Sequence, residues 1–219
     1  MCNLREKVSA SILTADLSNL GQETAKAEAA GAELLHIDVM DGVFVPPLTI
    51  GDVVVKSLRP KSNLIFDVHL MVQAPSAVLI ESFAKSGSDY ITIHVESKPE
   101  NGIRSALEQI KALGCKAGLA INPPTPIESV FDYLDLADMF TLMSVNPGYG
   151  GQAFIPDTLE KITELRKKTN APIEVDGGIN NKTAPAVIKA GADILVAGSY
   201  LFNAEDMAEA VNSLRRFSQ

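Results

Sequence analysis

Apolar runs of five or six residues recur along the chain, each followed by a polar connection and a stretch of helical periodicity. The first run, Val8-Ser9-Ala10-Ser11-Ile12-Leu13, reads as a short strand; Asp16 stands as a cap for a helix reaching about Ala30, which Gly31 closes. The same cadence returns at Ala30-Gly31-Ala32-Glu33, Ser86-Gly87-Ser88-Asp89, Leu113-Gly114-Cys115-Lys116, Leu136-Ala137-Asp138 and Ala190-Gly191-Ala192-Asp193. The runs behind these turns are strands two, four, five, six and eight. Leu64 to Met71 and Ile173 to Asp176 supply strands three and seven. Eight strands in 219 residues, with a helical pattern after each, leave about 27 residues per unit, close to the roughly 30 of a strand-helix-strand unit that shares its strands.

Strands that alternate with helices predict a parallel sheet, and strands apolar on both faces predict that helices cover one side. A closed (β/α)8 TIM barrel fits better than an open sheet, because no Gly-x-Gly-x-x-Gly turn follows the first strand. The most proline-rich stretch, Asn122-Pro123-Pro124-Thr125-Pro126, reads as a rigid loop leaving strand five rather than as a linker. Residues 1–219 are therefore expected to form one barrel domain.

Composition narrows the function classes. Hydrophobic residues make up 46% and charged residues 21%, an ordinary soluble balance, and a chain of this length buries roughly 70% of its unfolded surface. The net charge of −8 is spread along the chain, which argues against nucleic acid and requires any anionic ligand to be held by local features. Cys2 and Cys115 are too few and too far apart for a disulfide framework or a cysteine metal site, so a reducing cytoplasm is expected. No secretory leader is visible and no apolar window reaches the roughly 18 residues of a membrane span.

The polar positions within the apolar runs carry the chemistry. Along Leu34-Leu35-His36-Ile37-Asp38-Val39-Met40-Asp41-Gly42, side-chain alternation puts His36, Asp38 and Met40 on one face. A buried carboxylate without a partner costs several kcal/mol or more, so partners are needed. They stand at the ends of other runs: Asp67, His69 and Met71 on strand three, His94 with Glu96 on strand four, and Asp176 on strand seven. Two histidines and two carboxylates suit a divalent cation, and in a barrel they fall, with Ser11, at the C-terminal pole where such folds keep their sites.

Glycine-bearing loops form a second set. Asn146-Pro147-Gly148-Tyr149-Gly150-Gly151-Gln152 follows strand six, Gly177-Gly178 follows strand seven and Gly198-Ser199 follows strand eight. Glycines let the backbone approach a ligand and turn its amides inward, which is how an acidic protein can hold a phosphate without lysines. Met40, Met71 and Met143 lie at or near strand ends, where they could line a reacting carbon with polarisable, water-excluding surface.

Together, the segments Ser9-Ala10-Ser11-Ile12-Leu13, His36-Ile37-Asp38-Val39-Met40-Asp41-Gly42, Asp67-Val68-His69-Leu70-Met71-Val72, Val145-Asn146-Pro147-Gly148-Tyr149-Gly150-Gly151-Gln152 and Val175-Asp176-Gly177-Gly178-Ile179 resemble the ribulose-phosphate 3-epimerase family, and the likeness runs in order from Ser9 to Phe202. The resemblance implies a (β/α)8 barrel of the ribulose-phosphate binding type that interconverts D-ribulose 5-phosphate and D-xylulose 5-phosphate in the pentose phosphate pathway. It also implies one divalent ion, often zinc or iron, with manganese and cobalt equally compatible with the donor set. By motif, His36, Asp38, His69 and Asp176 would bind the metal and Asp38 and Asp176 would be the acid-base pair. Ser11 and His69 would touch substrate, and Gly148, Tyr149, Gly150, Gly151, Gly177, Gly178, Gly198 and Ser199 would hold its phosphate beside Asp176. Such enzymes are commonly homo-oligomers. Two positions depart from the family pattern: Pro47 follows Phe44-Val45-Pro46 where asparagine is usual, removing an amide side chain and a backbone donor, and Tyr149 replaces a phenylalanine.

Epimerising a carbon beside a ketone requires removing its proton from one face and returning one to the other, through a metal-stabilised enediolate, so two acid-base groups must flank that carbon. The six-carbon D-allulose 6-phosphate is a rival substrate with the same proton chemistry. A barrel aldolase or decarboxylase would need a lysine within the strand core, and none is present there. A non-catalytic sugar-phosphate sensor would bind phosphate without metal.

Overall fold

A computed structural model describes residues 7–215. Its eight strands, β1 (Lys7–Ser11), β2 (Leu34–Met40), β3 (Ile65–Met71), β4 (Tyr90–His94), β5 (Lys116–Ile121), β6 (Met139–Met143), β7 (Ile173–Asp176) and β8 (Ile194–Ala197), pair in parallel in sequence order. β1 pairs with β8, closing the ring, so the expected TIM barrel is the fold of this chain. The helices are α1 (Leu20–Ala29), α2 (Asp52–Leu58), α3 (Ala77–Lys85), α4 (Gly102–Ala112), α5 (Thr158–Arg166), α6 (Ala184–Ala190), α7 (Ser199–Phe202) and α8 (Met207–Arg215).

The strand alternation sorts two interiors. Val8, Ala10, Leu35, Ile37, Val39, Phe66, Val68, Leu70, Ile91 and Ile93 belong to the continuous core formed with helix residues such as Ile80, Phe83, Leu107 and Ile110. The other strand face lines the barrel. At its floor Leu34, Met139 and Ile194 pack with Ile65 and Tyr90 as a separate apolar plug. Above the plug the lining turns polar, and His36, Asp67, Thr92, Thr141 and Glu174 are all fully buried. Gly118 makes room for this crowding: a Cβ there would stand 2.1 Å from Thr92 Oγ1 on the neighbouring strand.

Three segments differ from the sequence expectation. β1 ends at Ser11, because the Ser11 hydroxyl accepts from Leu13 N (3.4 Å) and turns Ile12–Thr14 into a 3-10 helix. Asp16 caps a 3-10 turn, Leu17–Asn19, rather than α1 itself. After β5 the expected α-helix is a 3-10 helix, Ile127–Tyr133, which opens at Pro126 without a side-chain cap. The loop after β2 closes as a small antiparallel bridge between Asp41 and Leu48, in which Gly42 N donates to the carbonyl of Pro47 (3.0 Å). Pro47 thus takes part in this loop through its carbonyl acceptor. Cys115 is free and buried, and Cys2 lies outside the described residues. Among the described residues no helix is long and apolar enough to cross a membrane.

Candidate active site

The C-terminal ends of β1, β2, β3, β6, β7 and β8 open into one cavity of about 290 Å³. Its walls include Ser11, Asp38, Met40, Met71, Met143, Asp176 and Asn180, and the loop residues Gly148, Tyr149, Gly150, Gly151, Gly177, Gly178, Gly198 and Ser199. The three methionines, the three glycine loops and both proposed acid-base aspartates therefore share one space. His36 and His69, fully buried, lie outside this lining, beside its two aspartates.

At the cavity floor the register brings Asp38 beside His69 across β2 and β3, and Asp176 beside Met143 across β6 and β7. His36 starts two residues deeper on β2, and its ring length lifts Nε2 to the same level. His36 Nε2 stands 3.2 Å from His69 Nδ1, 3.5 Å from Asp38 Oδ1 and 3.6 Å from Asp176 Oδ2. His69 Nδ1 stands 3.5 Å from Asp38 Oδ1 and 3.8 Å from Asp176 Oδ2. A tetrahedral ion with ligands at about 2.0–2.1 Å has ligand-to-ligand edges of about 3.3–3.4 Å, so these four atoms fit a divalent cation. The two imidazole nitrogens also face one another, an arrangement that needs a shared proton or a cation between them. The donor set suits zinc, iron, manganese or cobalt.

The side chains around this cluster are braced. Ser11 Oγ donates to Asp38 Oδ2 (2.7 Å), and Thr49 Oγ1 donates to the Asp38 carbonyl (2.6 Å). His36 Nδ1 meets Asp67 Oδ2 at 2.6 Å, and Thr141 Oγ1 donates to Glu174 Oε2 (2.9 Å) beneath it. His36, Asp67 and Glu174 form a second cluster of metal-type donors, but its 2.6 Å separation is that of a hydrogen bond, which makes Asp67 a support for the His36 ring. Ser144 N and Oγ hold the Asp176 carbonyl (2.7 and 3.0 Å) and Ser144 Oγ also donates to Gly177 O (2.6 Å), fixing the end of β7. Gln152 Nε2 staples the β6 loop by donating to the carbonyls of Asn146 (2.7 Å) and Tyr149 (2.8 Å). The supporting parts played by Asp67, Thr49, Ser144 and Gln152 escape sequence reading, because each depends on a partner at least three residues away; only the placement of Asp67 on the face of His69 hinted at one.

The electrostatics separate the two aspartates. Burial pushes the Asp38 carboxyl up, but the charge of His36 beside it outweighs this and holds the group well below the carboxylate range. Burial pushes Asp176 up to about 6, helped by the charge of Asp38 and opposed by that of His36. For His36, burial works against the charged ring, yet Asp38 and Asp67 raise it well above its ordinary value. Glu174 is raised well above its usual range by burial and then by the charge of Asp67. Two carboxyls of one type driven apart by their surroundings form the pattern of a paired acid and base.

No lysine or arginine lines the cavity among the described residues. Negative charge on a ligand must be met there by backbone amides and hydroxyls, and Gly148, Gly151, Gly177 and Gly178 all have positive φ, the conformation in which successive amides can turn toward one point.

A family model described as the ribulose-phosphate 3 epimerase family matches residues 7–202. The chain is 45% identical to the ribulose-phosphate 3-epimerase of Bacillus subtilis over 215 residues, covering 95% of this chain and 98% of that one. It is 45% identical to that of Escherichia coli K12, covering 95% and 94%, and 45% identical to the chloroplastic ribulose-5-phosphate-3-epimerase of Arabidopsis thaliana, covering 95% and 75%. Among solved structures, a 3-hexulose-6-phosphate synthase from Salmonella typhimurium aligns with a TM-score of 0.72 at 18% identity, covering 96% of this chain and 97% of that chain. Orotidine 5'-phosphate decarboxylase from Pyrococcus horikoshii aligns at 0.70 and 12%, covering 95% and 97%; at these identities the likeness concerns the fold.

Proposed function

The chain belongs to the ribulose-phosphate 3-epimerase family and is an enzyme of that kind, and from that premise we propose that it inverts carbon 3 of D-ribulose 5-phosphate to give D-xylulose 5-phosphate, with Asp38 and Asp176 as its acid-base pair. The observation that carries this reading is that these two carboxyls, on strands three positions apart around the barrel, line the same cavity and share one donor cluster with His36 and His69.

The two carboxyls divide the proton chemistry. Asp38, as a carboxylate, would take the carbon-3 proton on its side. Asp176, which burial raises to about 6, would deliver one to the opposite face. In the return direction their roles exchange. Ser11, donating to Asp38 Oδ2, keeps the other oxygen of that carboxylate aimed at the cluster. Met40, Met71 and Met143, each buried, line the space where the planar carbon would sit and offer it no competing proton. His36, Asp38, His69 and Asp176 would hold one divalent cation, zinc or iron, with manganese or cobalt as alternatives. When bound, it would supply Lewis-acid stabilisation of the charge that develops on the two oxygens of an enediolate. The loops at Gly148 to Gly151, Gly177-Gly178 and Gly198-Ser199 would cradle the phosphate through amides and the Ser199 hydroxyl.

The test is formation of xylulose 5-phosphate from ribulose 5-phosphate by chelator-treated enzyme before and after re-addition of zinc, iron, manganese or cobalt. Activity lost on stripping and restored by one of these ions is expected. Full activity in metal-free enzyme contradicts the cation, and no turnover with any ion contradicts the substrate.

A further inference from the structure

The proline-rich loop that leaves β5 takes no part in the chemistry above, yet a continuous line of polar contacts joins it to the donor cluster. Asn122 N (2.8 Å) and Thr125 Oγ1 (2.5 Å) both donate to Glu96 Oε1. Glu96 Oε2 faces His94 Nδ1 at 3.1 Å, and His94 Nε2 faces His69 Nε2 at 2.8 Å. The loop itself is clamped from α5, where Lys161 Nζ donates to the carbonyls of Asn122 (3.3 Å), Pro123 (2.5 Å) and Thr125 (2.6 Å). His94 is fully buried, stacked on His69 with ring centroids 4.9 Å apart and tilted 4.7 Å from Phe44.

We propose that Glu96 and His94, held by the Asn122–Pro126 loop, are positioning residues that fix the tautomer of His69, so that its Nδ1 presents a lone pair to the cation site. The inference rests on the cation reading given above. A carboxylate can only accept, so His94 Nδ1 carries the proton toward Glu96 and His94 Nε2 is bare. A bare nitrogen can only accept, so His69 Nε2 is the donor in the 2.8 Å contact and His69 Nδ1 is left unprotonated. That nitrogen is the one which approaches His36, Asp38 and Asp176. With the opposite tautomers, a proton would occupy the position that a metal needs.

The discriminating substitution is Glu96→Gln. The backbone N–H of Asn122 cannot reverse its role, so the glutamine oxygen stays with Asn122 and Thr125 and its NH2 group faces His94 Nδ1. His94 then carries its proton on Nε2, which pushes the His69 proton onto Nδ1. Zinc affinity of the full-length protein, measured by competition with a chromophoric chelator, is expected to fall roughly 10- to 100-fold. Glu96→Ala is expected to lose less, because water can accept from His94 Nδ1 and either tautomer is allowed. A bracing role for the carboxylate by size alone gives the opposite ranking. In the zinc-loaded natural protein, nitrogen-15 spectra of labelled histidine should show His94 protonated on Nδ1 and bare on Nε2, a readout that needs no variant to fold. A Gln variant that binds zinc as tightly as the natural protein, an Ala variant weaker than Gln, or His94 protonated on Nε2 overturns the inference and leaves the cation reading standing. Failure of the natural protein to take up zinc, iron, manganese or cobalt overturns both.

Discussion

Gly178→Ala offers a direct probe of the phosphate cradle. Gly178 has φ +64°, and a Cβ built on it would stand 2.6 Å from Phe154 N and 2.7 Å from Phe154 Cα. Both are backbone atoms, so no rotamer change relieves the clash. To reach an ordinary contact of 3.4 Å the backbone at Phe154 must retreat by about 0.8 Å. That movement is resisted, because Ile155 N donates to Ser144 O (2.7 Å), and Ser144 in turn holds the end of β7. The left-handed conformation adds about 1–2 kcal/mol of strain for a residue with a Cβ. If the shift breaks one amide-to-phosphate hydrogen bond, about 1.5–3 kcal/mol of binding is lost, which is roughly a 10- to 100-fold rise in KM. Steady-state kinetics with ribulose 5-phosphate, together with competitive inhibition by inorganic phosphate, should show KM and the inhibition constant rising in parallel while metal content is unchanged. Both constants staying within about twofold of the natural enzyme would refute an amide cradle at this loop.

Two further outcomes follow from the packing. In Gly118→Ala, the new methyl meets Thr92 Oγ1, Cβ and Cα at 2.1, 2.9 and 3.1 Å inside a closed barrel, and overpacking of this kind should cost about 1–3 kcal/mol, read as a fall of several degrees in Tm that the additional change Thr92→Gly partly restores; an unchanged Tm contradicts the crowding. Burial raises the Asp41 carboxyl, but the amides of Gln73, Phe44 and Val43 outweigh it and lower the group, so its contribution to stability is present above the ordinary carboxylate range and is lost as pH falls through its depressed folded value. Asp41→Asn sets an NH2 group against the Gln73 amide, and should cost about 1 kcal/mol at neutral pH with a shallower loss of stability in acid; urea unfolding at pH 6 and pH 3 measures both, and an unchanged acid limb contradicts the linkage.

The sequence made the barrel legible through its repeated cadence, because parallel strands buried on both faces leave near-continuous apolar runs and glycine marks several helix ends. Its limits were local. The 3-10 helix after β5 carries the apolar periodicity of an α-helix, and the early end of β1 turns on a single Ser11 hydrogen bond that no pattern reports. Within the site, His36, Asp38, His69 and Asp176 stood out because ionisable residues interrupt apolar strands, where burial demands partners. The Glu96-to-Asn122 contact was hidden: Glu96 stood out beside His94, but the proline-rich loop reads as an ordinary rigid turn until the fold sets the two 2.8 Å apart.

The most direct measurement is proton NMR of ribulose 5-phosphate turned over in heavy water by metal-loaded enzyme. If Asp38 and Asp176 exchange the carbon-3 proton from two sides of the sugar, xylulose 5-phosphate will form with deuterium at carbon 3 from the first turnover, and Asp176→Asn will lower the rate by roughly 10²- to 10⁴-fold. Xylulose 5-phosphate that retains the original proton at carbon 3, or undiminished epimerisation by the Asp176→Asn enzyme, would contradict the account.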